Sequence, residues 1–98
     1  MKNILSRKKI RIFWTRHPDS EETLKTWYKV AMKANWKSSN GIKSQYRNAS
    51  IIGDNRVVFN ICGNKYRLIV KFNYGMQWGW IRFIGTHSEY DKVDALTI

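Results

Sequence analysis

The sequence predicts an α+β fold with the element order β-α-α-β-β-β, in which two N-terminal helices pack on one face of a small antiparallel sheet. Two observations predict it. Apolar residues recur with a helical period up to about residue 35, and after residue 51 they alternate with polar residues between turn signals. A chain of 98 residues builds one hydrophobic core, so residues 1–98 are expected to form a single domain.

The first two elements lie before Pro18. The stretch "KNIL" at residues 2–5 is short and apolar enough for an opening strand. A helix is then predicted from Ser6, because aromatic and apolar side chains share one helical face: Ile10, Phe13, Trp14 and His17. Pro18 ends this helix, since the residue before a proline avoids helical geometry.

The second helix is predicted to start immediately after Pro18. Asp19 is its expected cap, and Glu22 stands three residues later at a capping-box spacing. The buried stripe of this helix is formed by Leu24, Trp27, Tyr28 and Ala31, and the helix is expected to reach about Asn35. The polar residues 36–50 predict a loop with room for one short helical turn.

A β-hairpin follows in the second half. The runs "NRVVFNI" and "YRLIVKFNY" flank a predicted two-residue Gly63-Asn64 turn. This turn places Ile61 opposite Tyr66 and Arg56 opposite Lys71. The face expected to pack on the helices carries Val57, Phe59, Ile61, Tyr66, Leu68, Val70 and Phe72. The turn "YGMQWG" leads into the last strand, "WGWIRFIG", whose Ile81 and Phe83 are expected to join the core.

The opposite side of the predicted sheet, called the open face below, is rich in cations. It carries Arg56, Val58, Asn60, Lys65, Arg67, Ile69, Lys71, Trp80 and Arg82, and no acid. Like charges on neighbouring strands repel each other, so a bound anion would relieve them, and arginine suits bidentate contact with phosphate. The open face is therefore predicted to bind a polyphosphate. The alternative is an ordinary solvated face of an antiparallel sheet.

The overall charge favours the same class of partner. Lys and Arg number 18 against seven Asp and Glu, which gives a net charge of +11 and favours nucleic acid, an acidic protein or an anionic membrane. A single cysteine, Cys62, excludes an internal disulfide, and with two histidines it leaves no familiar zinc spacing, so no metal or cofactor is predicted. The early charges of "MKNILSRKKI" and the lack of a long apolar run favour a cytoplasmic protein without a membrane segment.

Several segments together resemble a known family. They are "HPDSEETLKTWYK", "GDNRVVFNI", "GNKYRLIVKFNY" and "IRFIGTHSEYDKVDA", and they occur in order along nearly the whole chain. This pattern resembles the HigB toxins of bacterial type II toxin–antitoxin modules, in the RelE/ParE-like superfamily. The resemblance implies a ribosome-dependent endoribonuclease that cuts mRNA in the ribosomal A site and halts translation. It also implies a HigA-like antitoxin with a helix-turn-helix domain, through which operator DNA is bound.

The resemblance also implies site residues. Arg67, in the "YRL" strand, falls on a phosphate-binding position of RelE-like toxins, and the segment "THSEYDK" contributes His87 and Tyr90. His87 stands where RelE carries an arginine, so its role as proton donor or acceptor stays open. Arg56 is the best equivalent of an upstream basic pair. The implied catalytic residues are thus Arg67, His87 and Tyr90.

Elementary chemistry agrees with these types of residue. Self-cleavage of RNA by its 2′-hydroxyl needs proton transfer and stabilisation of the phosphorane, for which histidine and arginine are suited. Flanking RNA phosphates are assigned to Arg56, Lys71 and Arg82, with Lys65 and Lys92 as weaker candidates. Other polar residues have structural explanations: His17 finishes the first helix, and Glu89 lies in the first turn of a helix that could start at Ser88, with Asp91 at the capping-box spacing.

Two other functions remain compatible with the sequence. A basic face with aromatic side chains would suffice for a non-catalytic RNA- or DNA-binding module. A ParE-like toxin that binds gyrase and cuts no RNA is the second alternative. The presence of His87 together with Tyr90 favours the endoribonuclease over both.

Overall fold

A computed structural model describes residues 1–98 and confirms the α+β class. Its elements, in chain order, are β1 (Asn3–Leu5), α1 (Lys8–Arg16), a 3₁₀ turn (Pro18–Ser20), α2 (Glu21–Lys33), α3 (Ser39–Gln45), β2 (Ser50–Ile52), β3 (Arg56–Ile61), β4 (Tyr66–Asn73), β5 (Trp78–Thr86) and α4 (His87–Tyr90). None of the helices combines the length and the apolar character that crossing a membrane requires.

The five strands form one mixed sheet in the order β1-β5-β4-β3-β2. The prediction that the first strand joins the sheet is confirmed, but β1 runs parallel to β5, so the sheet is not wholly antiparallel. A tight hairpin forces antiparallel pairing, whereas a long connection allows either direction, and the whole chain from α1 to β4 lies between these two strands.

Residues 36–50, predicted as a loop with room for one short helical turn, contain the seven-residue helix α3 and lead into the short edge strand β2. Helix α3 packs on the core through Ile42, which is fully buried. Its Gln45 Oε1 also accepts a 3.0 Å hydrogen bond from Trp36 Nε1. A single apolar residue within a seven-residue polar helix produces no periodic signal, which is why the sequence pattern favoured a loop.

The β3–β4 hairpin confirms the predicted register at every pair from Ile61–Tyr66 to Arg56–Lys71. The Lys65 N–H donates to Cys62 O at 3.2 Å across the turn. Gly63 has a φ of +66°, a left-handed conformation that glycine adopts without steric cost. All seven residues of the predicted core face are buried: Val57, Phe59, Ile61, Tyr66, Leu68, Val70 and Phe72.

The β4–β5 ladder departs from simple alternation at one point. Val70 pairs with Ile81, but Ile69 pairs with Phe83, so Arg82 is an extra residue in β5. Such a bulge reverses the alternation of side chains beyond it. The prediction that Phe83 joins the core is therefore wrong. Phe83 lies with Ile69 on the open face, and Ile84, opposite Leu68, packs against the core instead.

The open face is less exposed to solvent than the alternation of residues along its strands predicts. Val58 and Ile69 are only 2% and 0% exposed, although neither faces the helices. The segment after α4 returns to this side of the sheet, where the main-chain oxygen of Ile98 meets Arg56 and Arg82. Residues 91–98 thus cover part of a surface that was expected to face solvent.

Candidate active site

Arg67 lies at the start of β4, where it pairs with Gly85 near the end of β5. Its Nη1 donates to the main-chain oxygens of Asn64 at 3.0 Å and Tyr66 at 3.3 Å. These bonds orient the guanidinium group and leave Nε and Nη2 without a protein partner. The guanidinium carbon lies 6.0 Å from the centre of the Tyr90 ring. Arg67 can therefore present two donors to an anion beside an aromatic ring.

The short helix α4 positions the other two candidate catalytic residues. Its cap is a Thr86–Glu89 box: the Glu89 N–H donates to Thr86 Oγ1 at 3.2 Å, and the Thr86 N–H donates to Glu89 Oε1 at 2.8 Å. The alternative start at Ser88 is wrong, because the helix begins at His87. The His87 N–H also donates to Lys65 O at 3.2 Å, which ties α4 to the β3–β4 hairpin.

His87 has a carboxylate partner, Asp91, which the sequence predicted only as part of a capping box with Ser88. Its Nδ1 lies 3.3 Å from Asp91 Oδ2, one helical turn away, and the imidazole is about half exposed. A carboxylate at Nδ1 orients the ring and leaves Nε2 directed away from the pair. The i, i+4 spacing of His87 and Asp91 is the sequence signal that could have identified this pair.

Gly85 allows two side chains to close over the end of β5. A Cβ atom at this position would lie 2.6 Å from Phe83 Cζ and 3.2 Å from Glu89 Oε1. The Phe83 ring in turn lies 6.5 Å from the Tyr90 ring, centre to centre. The site is thus lined by aromatic rings, and the glycine opposite Arg67 is required for their close approach.

A second group of cations lies further along the open face. Arg56 is only 5% exposed, and its Nε and Nη2 donate to Ile98 O at 3.1 and 2.8 Å. Arg82 Nε donates to the same oxygen at 3.1 Å, while its guanidinium lies 3.7 Å from the centre of the Trp80 ring. Two guanidinium groups therefore converge on one oxygen atom supplied by the chain itself.

The prediction that the open face carries no acid needs a correction. Asp54, in the turn before β3, binds Arg56 Nη1 at 2.5 Å and lies 3.5 Å from Lys71 Nζ. The hydrogen bond from Arg56, followed by the charge of Lys71, lowers the pKa of the Asp54 carboxyl. Strand alternation could not reveal this residue because it lies outside the strands. Part of the repulsion between Arg56 and Lys71 is thus relieved without a ligand.

The prediction that Lys65 lies on the open face is wrong, because its side chain reaches the 3₁₀ turn on the helix side of the sheet. Its Nζ binds Asp19 Oδ2 at 2.5 Å, and the Tyr66 hydroxyl donates to Asp19 Oδ1 at 2.7 Å. The hydrogen bond from Lys65, then that from Tyr66, lowers the pKa of Asp19. The prediction that Asp19 caps α2 is wrong, because its carboxylate is used to join the 3₁₀ turn to the hairpin. Lys92 is exposed just beyond α4.

The structure therefore divides the predicted site residues into groups. Arg67, His87 and Tyr90 gather where β4 begins and α4 starts, whereas Arg56, Lys71 and Arg82 form the second group of cations. Asn60, not Arg56, is the β3 residue opposite Arg67. Asn60 and Arg56 are four positions apart, which corresponds to roughly 13 Å along a strand. An anion longer than one phosphate is needed to contact both groups.

Comparison with known proteins relates the chain to a family of toxins. A family model described as HigB_toxin, the RelE-like toxic component of a toxin–antitoxin system, matches residues 20–93. The match covers most of the chain, from the end of the 3₁₀ turn to just beyond α4, and it includes every candidate residue of both groups. No curated protein matches the sequence significantly.

Proposed function

The chain belongs to the HigB family of RelE-like toxins, and from this premise we propose that it is a ribosome-dependent endoribonuclease that cleaves mRNA in the ribosomal A site. Membership of the family makes the chain a toxin and implies an antitoxin partner. The observation that carries the proposal is the meeting of Arg67, Tyr90 and the His87–Asp91 pair at one end of a basic sheet.

The proposed reaction is attack of an RNA 2′-hydroxyl on the adjacent phosphorus. The hydroxyl loses its proton, the new bond to phosphorus forms, and the bond to the 5′-oxygen breaks as that oxygen gains a proton. The products are a cyclic phosphate and a free 5′-hydroxyl. This chemistry can use protein side chains alone, so the proposal includes no metal or cofactor.

Each residue of the cluster has a proposed role. Arg67 places its two free donors on the scissile phosphate, where negative charge increases in the transition state. His87 transfers a proton through Nε2, and Asp91 holds the imidazole at Nδ1 in the orientation that this transfer requires. Tyr90 stacks on a base or hydrogen-bonds the substrate.

The second group of cations is proposed to hold a flanking phosphate. Arg56 and Arg82 already converge on a single oxygen atom, that of Ile98, which stands in for a phosphate oxygen in this arrangement. RNA that binds there must replace this contact. Lys71 and Lys92 add positive charge around the path of the backbone, and Lys65 would join them by releasing Asp19. These cations are expected to make binding depend on ionic strength.

The partners proposed for the toxin follow from its class. A HigA-like antitoxin with a helix-turn-helix domain would neutralise it, and operator DNA would be bound only through that complex. The ribosome and its mRNA place the proposed activity in the cytoplasm. The net charge of +11 is suited to approach towards ribosomal RNA.

A test of the proposal is to add the purified protein to translating ribosomes and to map the mRNA ends. Cuts at a fixed position within codons are expected with the wild type and with Lys33→Ala, an exposed cation at the end of α2. His87→Ala should produce them roughly 10²–10⁴-fold more slowly. Growth arrest without cuts would favour a gyrase-binding toxin, and RNA binding without cuts would favour a non-catalytic binding module. Either result would overturn the proposal.

A further inference from the structure

A cavity of about 340 Å³ lies between α1 and the outer edge of β5. It exists because β1 pairs only with Trp78–Trp80, so the second half of β5 has no strand on that side. Lys9 of α1 crosses the gap to donate to Arg82 O at 3.4 Å. The proposed roles of Arg67, His87 and Tyr90 do not use this cavity, which is large enough for one nucleobase and part of its ribose.

The walls of the cavity include flat aromatic surfaces. His17 stacks on Phe13 with ring centres 4.3 Å apart and planes 23° apart, and both rings line the cavity from the α1 side. Phe83, moved out of the core by the bulge in β5, lines it from the sheet. Nucleobases bind to such surfaces by stacking, whereas the side chains of an acidic peptide do not.

The polar lining consists of cations around a single carboxylate. Lys9 and Arg16 contribute positive charge, and Glu89 provides the acid. Glu89 Oε1 accepts the Thr86 N–H, so Oε2 remains free to accept a second hydrogen bond. Hydrogen bonds from Thr86 lower the pKa of Glu89, which keeps it ionised near neutral pH. An ionised carboxylate repels an acidic peptide but accepts hydrogen bonds from a base amino group.

The cavity lies next to the cluster around Arg67, on the other side of Gly85. Phe83 and Glu89 both close over Gly85, and Gly85 is paired with Arg67 in the β4–β5 ladder. Paired residues on neighbouring strands are only about 5 Å apart. A nucleotide whose phosphate contacts Arg67 can therefore direct its base around the strand end towards the cavity.

We propose that this cavity is a nucleobase subsite that prefers a base with an exocyclic amino group, which donates to Glu89 while the ring stacks between Phe83 and His17. The proposal rests on the proposed function, because it assigns the cavity to the RNA substrate. It predicts a preference for cytosine over uracil, which differ at the position of that amino group. It likewise predicts a preference for adenine over hypoxanthine, which lacks the amino group.

Mononucleotide binding tests the subsite without any cleavage step. We expect 5′-CMP and 5′-AMP to shift the backbone amide NMR signals of His17, Phe83 and Glu89, with 5′-UMP and 5′-IMP binding roughly tenfold more weakly. Equal binding of CMP and UMP, or the absence of shifts with all four nucleotides, would overturn the proposal. So would a hexaglutamate peptide that shifts these signals where the nucleotides do not, since it would assign the cavity to an acidic protein partner.

The variant Glu89→Gln gives a sharper test because it preserves the helix cap. The amide oxygen can still accept the Thr86 N–H, while the free carboxylate oxygen becomes an amino group that donates. The preference should then reverse in favour of UMP. Glu22→Gln, at an exposed position of α2, removes the same charge away from the cavity and should leave the preference unchanged.

Together, the nucleotide-binding and mRNA-cleavage results test the subsite proposal separately from the proposed endoribonuclease activity. A CMP preference that Glu89→Gln reverses supports the subsite even if no mRNA is cut, and only the proposed activity would then fail. Cleavage of ribosome-bound mRNA with an unchanged CMP preference in Glu89→Gln would retain the activity and overturn the subsite.

Discussion

Replacement of Arg67 by alanine should separate catalysis from folding. The guanidinium group forms only two protein hydrogen bonds, both from Nη1 to main-chain oxygens at the hairpin, and Arg67 is partly exposed at the sheet surface. Arg67→Ala removes those bonds and the two donors directed to the proposed phosphate. The core side of β4 remains intact, because Tyr66 and Leu68 point to the opposite face.

The expected effects differ greatly in size. Loss of a preorganised donor to a developing oxyanion costs about 2.7–4 kcal/mol in the transition state, which is roughly a 10²–10³-fold loss of rate. A hydrogen bond within a protein contributes about 0.5–1.5 kcal/mol net. The two hydrogen bonds of Arg67 share one donor nitrogen and lie at a solvated turn. We therefore expect Arg67→Ala to lower the free energy of unfolding by about 1 kcal/mol at most.

The assay is single-turnover cleavage of ribosome-bound mRNA, with urea unfolding measured in parallel. Arg67→Ala should still sediment with ribosomes, because the second group of cations is unchanged. Arg67→Lys, which keeps the charge but not the fork of donors, should lose less activity than alanine. Lys33→Ala is the control for the removal of one positive charge. If Arg67→Ala cut at the rate of that control, the phosphate-binding role would be refuted.

Three further predictions concern the surroundings of this cluster. His87→Ala should lower the cleavage rate by about 10²–10⁴-fold. Asp91→Asn should lower the rate less and should alter its pH profile. A wild-type rate in His87→Ala would contradict the proton-transfer role of this residue. Gly85→Ala should push the Phe83 ring away, because the new Cβ would lie 2.6 Å from Cζ. A loss of about 1–3 kcal/mol in stability is expected, together with a clear loss of cleavage. An unchanged rate would count against the arrangement of the site. Hydrogen bonds from Lys65 and then from Tyr66 lower the pKa of Asp19 from its ordinary value of 3.8. The stabilisation that Asp19 provides is therefore present above pH 3.8, and it is lost as the pH falls through the lower pKa of Asp19 in the folded protein. Denaturation of Asp19→Asn should show less loss of stability between pH 6 and pH 3 than the wild type, and equal losses would contradict the role of this carboxylate.

Much of the fold could be predicted because its signals are local. The Gly63-Asn64 turn determined the register of β3 and β4, and two-residue alternation then identified the core face. The periodicity of α1 and α2 located their buried sides at Ile10, Phe13 and Leu24, with each helix only a few residues shorter than expected. By contrast, only one short helical turn was predicted where α3 lies, and β2 was not predicted as a separate strand, since seven and three residues carry too little pattern.

The sequence by itself determined the class of the fold, the hairpin register, the strong positive charge and the family resemblance, because each depends on composition or on neighbours in the chain. Only the tertiary structure decided the parallel pairing of β1 with β5, the bulge that turns Phe83 outward and the coverage of the open face by residues 91–98. It also decided which partners the charged groups find: Asp91 for His87, and Ile98 O for Arg56 and Arg82. Contacts between residues distant in the chain depend on how the whole sheet packs, and a local pattern contains no information about them.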